Sequence, residues 1–134
     1  MTFKLSHITI LVRDQDEALE WYTGKLGLEK RADQPMGPEM RWLTVGVPGQ
    51  PDPEIVLLKP APCERGEEFY KTLLERIGQG TMWGFTTDDC QKTYEELTAR
   101  GVEFNKPPEE APWGIHAEFK DLYGNEFMLV QPRK

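Results

Sequence analysis

Basic residues are scarce in this sequence. Sixteen Lys and Arg stand against 23 Asp and Glu, leaving a formal net charge of −7. Such a chain repels phosphate backbones, and no cluster of Lys and Arg offsets the repulsion, so nucleic acid is excluded as the expected partner. Cysteine is nearly absent too. Cys63 and Cys90 lie far apart and form no motif, so they read as reduced, buried or half-buried thiols in a cytoplasmic protein. The longest apolar runs, at 8–12 and 55–58, are strand-sized and too short to span a bilayer, so no membrane partner is expected. The residues from Met1 to Leu5 lead straight into a strand pattern without the architecture of a secretory leader. There is no nucleophile elbow, P-loop, Cys-x-x-Cys or His-Glu-x-x-His pattern. Histidine is limited to His7 and His116.

What is present suits one globular domain of 134 residues, with 38% hydrophobic and 29% charged residues. Ile8, Ile10 and Val12 alternate with Thr9 and Leu11, which predicts a strand over 6–12. Asp14 stands as an N-cap with Glu17 three residues on. Ala18, Leu19, Tyr22 and Leu26 then recur at helical spacing, and Gly27 takes the C-cap position. Strands are expected at 28–32, 40–45 and 54–58, separated by Pro- and Gly-bearing turns at 34–38 and 48–53. Pro60 and Pro62 break the pattern, and Phe69, Leu73, Leu74 and Ile77 mark an amphipathic helix over about 66–77.

The second half repeats the first. A strand at 83–87 leads into Asp88 and Asp89, which start a helix that buries Thr93, Tyr94 and Leu97 and ends at Gly101. Strands follow at 102–105, 115–120 and 126–131, with a tight turn over 121–125. Asp14 and Asp89 are offset by 89 − 14 = 75, as are Leu19 and Tyr94. At the ends of the halves, 54–60 matches 126–132 with an offset of 72, each with a Glu, an apolar quartet and a Pro in one register. This is an internal duplication.

The order strand, helix, three strands, given twice, resembles the vicinal oxygen chelate superfamily: glyoxalases, bleomycin-resistance proteins, fosfomycin-resistance enzymes and extradiol dioxygenases. Ser6-His7-Ile8-Thr9, the helix exit Tyr22…Leu26-Gly27-Leu28 and the turn Asp121-Leu122-Tyr123-Gly124-Asn125 carry the likeness, with Leu122 where the family often has proline. The resemblance spans the chain and implies an α+β fold of two tandem βαβββ modules, forming a curled mixed sheet around a central cavity. Module 1 is expected at about 1–60, a linker helix at about 61–79 and module 2 at about 80–134. Because this fold hosts several reactions, it does not specify the chemistry.

The family's metal-dependent members place ligands on the first and last strands of each half. The repeat puts His7 and Met82 in the first-strand pair (82 − 7 = 75) and Val56 and Met128 in the last-strand pair (128 − 56 = 72). A divalent metal that polarises a substrate oxygen takes imidazole or carboxylate ligands. Valine has no donor, and thioethers bind such ions poorly, so neither metal nor cofactor is expected. His7 stands open to three readings: a core-satisfied residue, a ligand contact or acid/base group, and a metal ligand. Copper(I) held by His7 and two methionines is less simple than apolar packing. His116 and Glu118 share one strand face and are either a catalytic dyad or a polar pair on a partly exposed surface. Trp42 and Trp113 occupy comparable places in the two halves, suited to sandwiching a planar ligand or to packing in a core or dimer interface.

Three functions follow. The leading one is a homodimeric binder of an apolar or aromatic small molecule, similar to the bleomycin-resistance branch. Its cavity is lined by His7, Val56, Met82 and Met128, with Trp42 and Trp113 at the mouth. The second is a glyoxalase-like lyase, an isomerase or a dioxygenase that works through His7, His116 or Glu118. The third is an interaction protein that uses the fold as a scaffold.

Overall fold

Strand β1 (His7–Leu11) opens a chain that divides into two compact units, Met1–Ile77 and Gly78–Lys134, in a computed structural model describing residues 2–38 and 40–133. The first unit continues with α1 (Gln15–Glu20), a π-helical turn (Trp21–Lys25), β2 (Glu29–Pro35), β3 (Arg41–Gly46), β4 (Glu54–Leu58) and α2 (Glu67–Arg76). Its four strands lie in the order β1-β4-β3-β2, with β1 parallel to β4 and the other pairs antiparallel. Ile10, Leu43, Val45, Ile55 and Leu57 form one buried face of this sheet, beneath the helices. Each such side chain contributes about 1.5–3 kcal/mol by leaving water.

Asp14 caps α1 as expected, its Oδ1 accepting a hydrogen bond from the Glu17 amide at 2.9 Å. The helix departs from the expected regular course to Leu26. Its last turn widens, and the Leu26 amide reaches back five residues to the Trp21 carbonyl at 3.2 Å. This turn buries both Trp21 and Tyr22, whose rings meet edge to face at 4.8 Å. β2 also runs past the expected end, through Pro35. As an edge strand it tolerates a residue with no amide proton to give. Arg41 ties β2, β3 and α1 together, donating to both Asp33 oxygens at 2.8 and 2.9 Å and to Asp16 at 2.7 Å. The hydrogen bonds from Arg41 hold the Asp33 carboxyl below the usual carboxylate range.

The second unit repeats the topology. It has β5 (Trp83–Thr86), α3 (Cys90–Ala99), β6 (Glu103–Ala111), β7 (Gly114–Lys120) and β8 (Glu126–Pro132), with strand order β5-β8-β7-β6. Thr9 pairs with Val56 in the first sheet and Gly84 with Met128 in the second. The offsets, 84 − 9 = 75 and 128 − 56 = 72, are those of the sequence repeat. Phe119, Phe127 and Leu129 are buried on the helix side. Phe85, Phe104 and Phe119 pack ring to ring at 5.4–5.9 Å. β6 is much longer than the expected 102–105. It carries Pro107 and Pro108 on an edge strand whose pairing with β7 shifts register on either side of Lys106. The turn over 121–125 is organised by Asp121, which is 5% exposed. Its Oδ1 accepts from the amides of Tyr123 and Asn125 at 2.8 and 2.9 Å, and its Oδ2 from the Asn125 side chain at 2.9 Å.

The expectation of two buried or half-buried thiols holds for Cys90 only. Cys63 is exposed, in the segment before α2 where prolines at 60 and 62 hold the chain out of the sheet. No helix among the described residues is long and apolar enough to cross a membrane.

Candidate functional site

Side chains of residues paired across neighbouring strands project to the same face of a sheet, so the register shows which groups share each helix-free face. In the first unit His7 pairs with Glu54, Thr9 with Val56, and Val56 with Thr44. His7 and Val56 therefore lie on one face, away from Ile10, Leu57 and the helices. Trp42, two residues from Thr44 on β3, shares that face, and its ring lies 5.6 Å from the His7 ring, tilted by 58°. The Nδ1 of His7 is 2.9 Å from the Ser6 hydroxyl. The Thr44 hydroxyl, on a fully buried residue, donates to Glu54 at 2.6 Å. Strand register alone brings Thr44 and Glu54 together, and the match of Glu54 to Glu126 in the repeat is the sequence signal that marks the position.

In the second unit Met128 pairs with Gly84 on one side and Glu118 on the other, and His116 pairs with Val130. Met128, His116 and Glu118 thus share the helix-free face of this sheet. Met82, whose amide donates to the Glu126 carbonyl at 2.8 Å, sits at its edge and is 51% exposed. It holds φ at 52°, a left-handed conformation uncommon for a residue with a side chain. Trp113 lies in the turn between β6 and β7, 47% exposed, with its ring 5.0 Å from that of His116. The Nδ1 of His116 is buried and has no hydrogen-bond partner among the described residues. Trp21 and Trp83 serve packing instead: Trp21 is buried, and Trp83 stacks obliquely on Phe127 at 6.2 Å.

The walls expected of a cavity are therefore strand faces in each unit, and a single sheet face encloses nothing by itself. Two surface depressions lie elsewhere. One is at the β2–β3 hairpin beside Asp33, Met40 and Arg41, and the other lies beside Glu110, Gly114 and Arg133. Neither is lined by His7, Val56, Met82, Met128, Trp42 or Trp113.

A divalent metal does not fit the side chains at the four positions that the family resemblance singles out. His7 offers one imidazole, Val56 has no donor atom, and Met82 and Met128 offer thioethers, which hard and borderline ions bind weakly. Among the described residues, no three His, Cys, Asp or Glu side chains come together as a ligand set.

With this geometry in hand, comparison with known proteins decides the family. The model of the Glyoxalase/Bleomycin resistance protein/Dioxygenase superfamily matches residues 4–129. The chain belongs to this superfamily. It is 38% identical to the uncharacterized protein YurT of Bacillus subtilis (strain 168) over 128 residues, 96% of this chain and 98% of that one. The crystal structure of UcmS2 superposes with a TM-score of 0.86 at 42% identity, covering 97% of this chain and 98% of that one. TnmS3, described as an antibiotic binding protein from Streptomyces sp. CB03234, superposes with a TM-score of 0.79 at 31% identity, covering 98% of each chain.

Proposed function

We propose that this superfamily member binds a small, largely apolar or aromatic molecule without transforming it. The reading rests on the four positions that the family resemblance singles out, where Val56, Met82 and Met128 are apolar and His7 alone carries an imidazole. On the first unit's face His7 and Trp42, and on the second unit's face Trp113 beside His116, each offer the polar and aromatic surface that small-molecule sites use. The likeness to an antibiotic-binding protein at 31% identity supports binding as the activity. Kinship with this superfamily is also the ground for expecting a cytoplasmic homodimer.

A polar ligand group set against Val56, Met82 or Met128 leaves hydrogen bonds unmade, at a cost of about 1–3 kcal/mol each. Aromatic and aliphatic compounds should therefore raise the melting temperature, because a ligand at a hundred times its Kd stabilises the native state by about 2.7 kcal/mol. Met128→Glu should weaken that stabilisation by placing a charge on the binding face. If only small polar acids or thiol conjugates stabilise the protein, and Met128→Glu makes no difference, an enzyme using His7, His116 or Glu118 becomes the better account.

A further inference from the structure

The buried Nδ1 of His116 is the sole buried side-chain nitrogen or oxygen without a hydrogen-bond partner among the described residues. Buried polar groups in folded proteins are nearly always paired, so an exception calls for a reason. This one lies beside the Trp113 ring at 5.0 Å, and Trp113 is a large aromatic left 47% exposed on a loop tip. The same sheet face carries Met128 and Glu118 in register with one another. It therefore combines an aromatic platform, a soft apolar side chain and an imidazole with unused hydrogen-bonding capacity.

We infer that Trp113 and His116 form a recognition site for a neutral aromatic ring bearing a hydroxyl group, a phenol or naphthol in chemical class. This rests on the small-molecule-binding reading above and names the ligand's chemistry. The ring packs on Trp113 and Met128. The hydroxyl either donates to or accepts from an imidazole nitrogen, whichever tautomer His116 adopts. Because that nitrogen is buried, a ligand reaches it only if the half-buried imidazole turns about its side-chain bonds. A carboxylate ligand is disfavoured, because Glu118 lies two residues from His116 on the same face and Glu109 is paired with His116 across β6 and β7. Lys106, the cation in register with Glu118, is engaged by Glu109 at 3.2 Å.

Three probes of one shape separate the contributions: naphthalene, 2-naphthol and 2-naphthoate, titrated by tryptophan fluorescence into the full chain. 2-Naphthol should bind most tightly and 2-naphthoate most weakly. His116→Phe keeps a ring but removes both nitrogens, and it should weaken 2-naphthol about tenfold, the worth of one hydrogen bond, while leaving naphthalene unchanged. Trp113→Ala should weaken both. In the wild type, the ring-nitrogen NMR signals of His116 should move with 2-naphthol and not with naphthalene, a readout that needs no variant to fold. Binding of 2-naphthol that ignores His116→Phe and leaves those signals in place overturns this inference alone. Preference for 2-naphthoate does the same. Failure of all three probes to bind overturns the underlying reading and this inference with it.

Discussion

Replacing Asp121 by alanine tests whether one buried carboxylate holds the β7–β8 connection. Three N–H groups converge on it, the amides of Tyr123 and Asn125 and the side-chain amide of Asn125, all at 2.8–2.9 Å. Hydrogen bonds to a charged acceptor are worth about 1.5–3 kcal/mol each, and removing the acceptor strands donors on a residue that is 3% exposed, Asn125. Some of that loss is recovered where water enters the turn, so the expected net cost is about 3–5 kcal/mol. Against a total stability of about 5–15 kcal/mol this is severe. For a chain of this size it lowers the melting temperature by roughly 10 °C or more. Urea unfolding at pH 7, followed by circular dichroism, measures it directly. Asp89→Ala is the internal standard, since it removes an N-cap bond to the Lys92 amide and should cost about 1 kcal/mol. If Asp121→Ala costs no more than Asp89→Ala, the turn does not depend on the carboxylate and the reasoning fails.

Two further expectations follow from burial and backbone geometry. Cys63 is exposed and Cys90 fully buried, its thiol pushed up first by burial and then by the charge of Asp89. Iodoacetamide should therefore label Cys63 in the native protein and Cys90 only in denaturant, and equal native labelling seen by mass spectrometry contradicts this placement. Gly114 has φ at 150°, and a Cβ there collides with the carbonyl of Gln131 in the adjoining strand. Gly114→Ala should lower stability by about 2 kcal/mol or more, whereas Gly84→Ala, with nothing within 4 Å of its Cβ, should stay within about 0.5 kcal/mol of wild type. Equal effects by denaturant unfolding refute the difference.

Local chemistry made much of this protein legible in its sequence. Period-two alternation, the aspartates at 14 and 89 and the glycines at 27 and 101 act within a few residues, so strands, caps and helix ends were readable. The duplication followed from comparing such signals at two fixed offsets, and the strand register repeats those offsets. Tertiary structure decided the rest. The pairing of His7 with Glu54 joins residues 54 − 7 = 47 apart, and that of Glu118 with Met128 crosses a turn. No local period reveals such neighbours: the alternation that puts His116 and Glu118 on one strand face shows neither the Thr44–Glu54 bond nor Met128 beside them. The π-helical turn at Trp21 and the extension of β6 through two prolines were equally unreadable. Helical spacing does not distinguish a widened turn from a regular one, and here the widened turn carries two buried aromatic residues, Trp21 and Tyr22. Proline forbids a strand only where a partner needs its missing amide proton, and the position of β6 at the sheet edge removes that need.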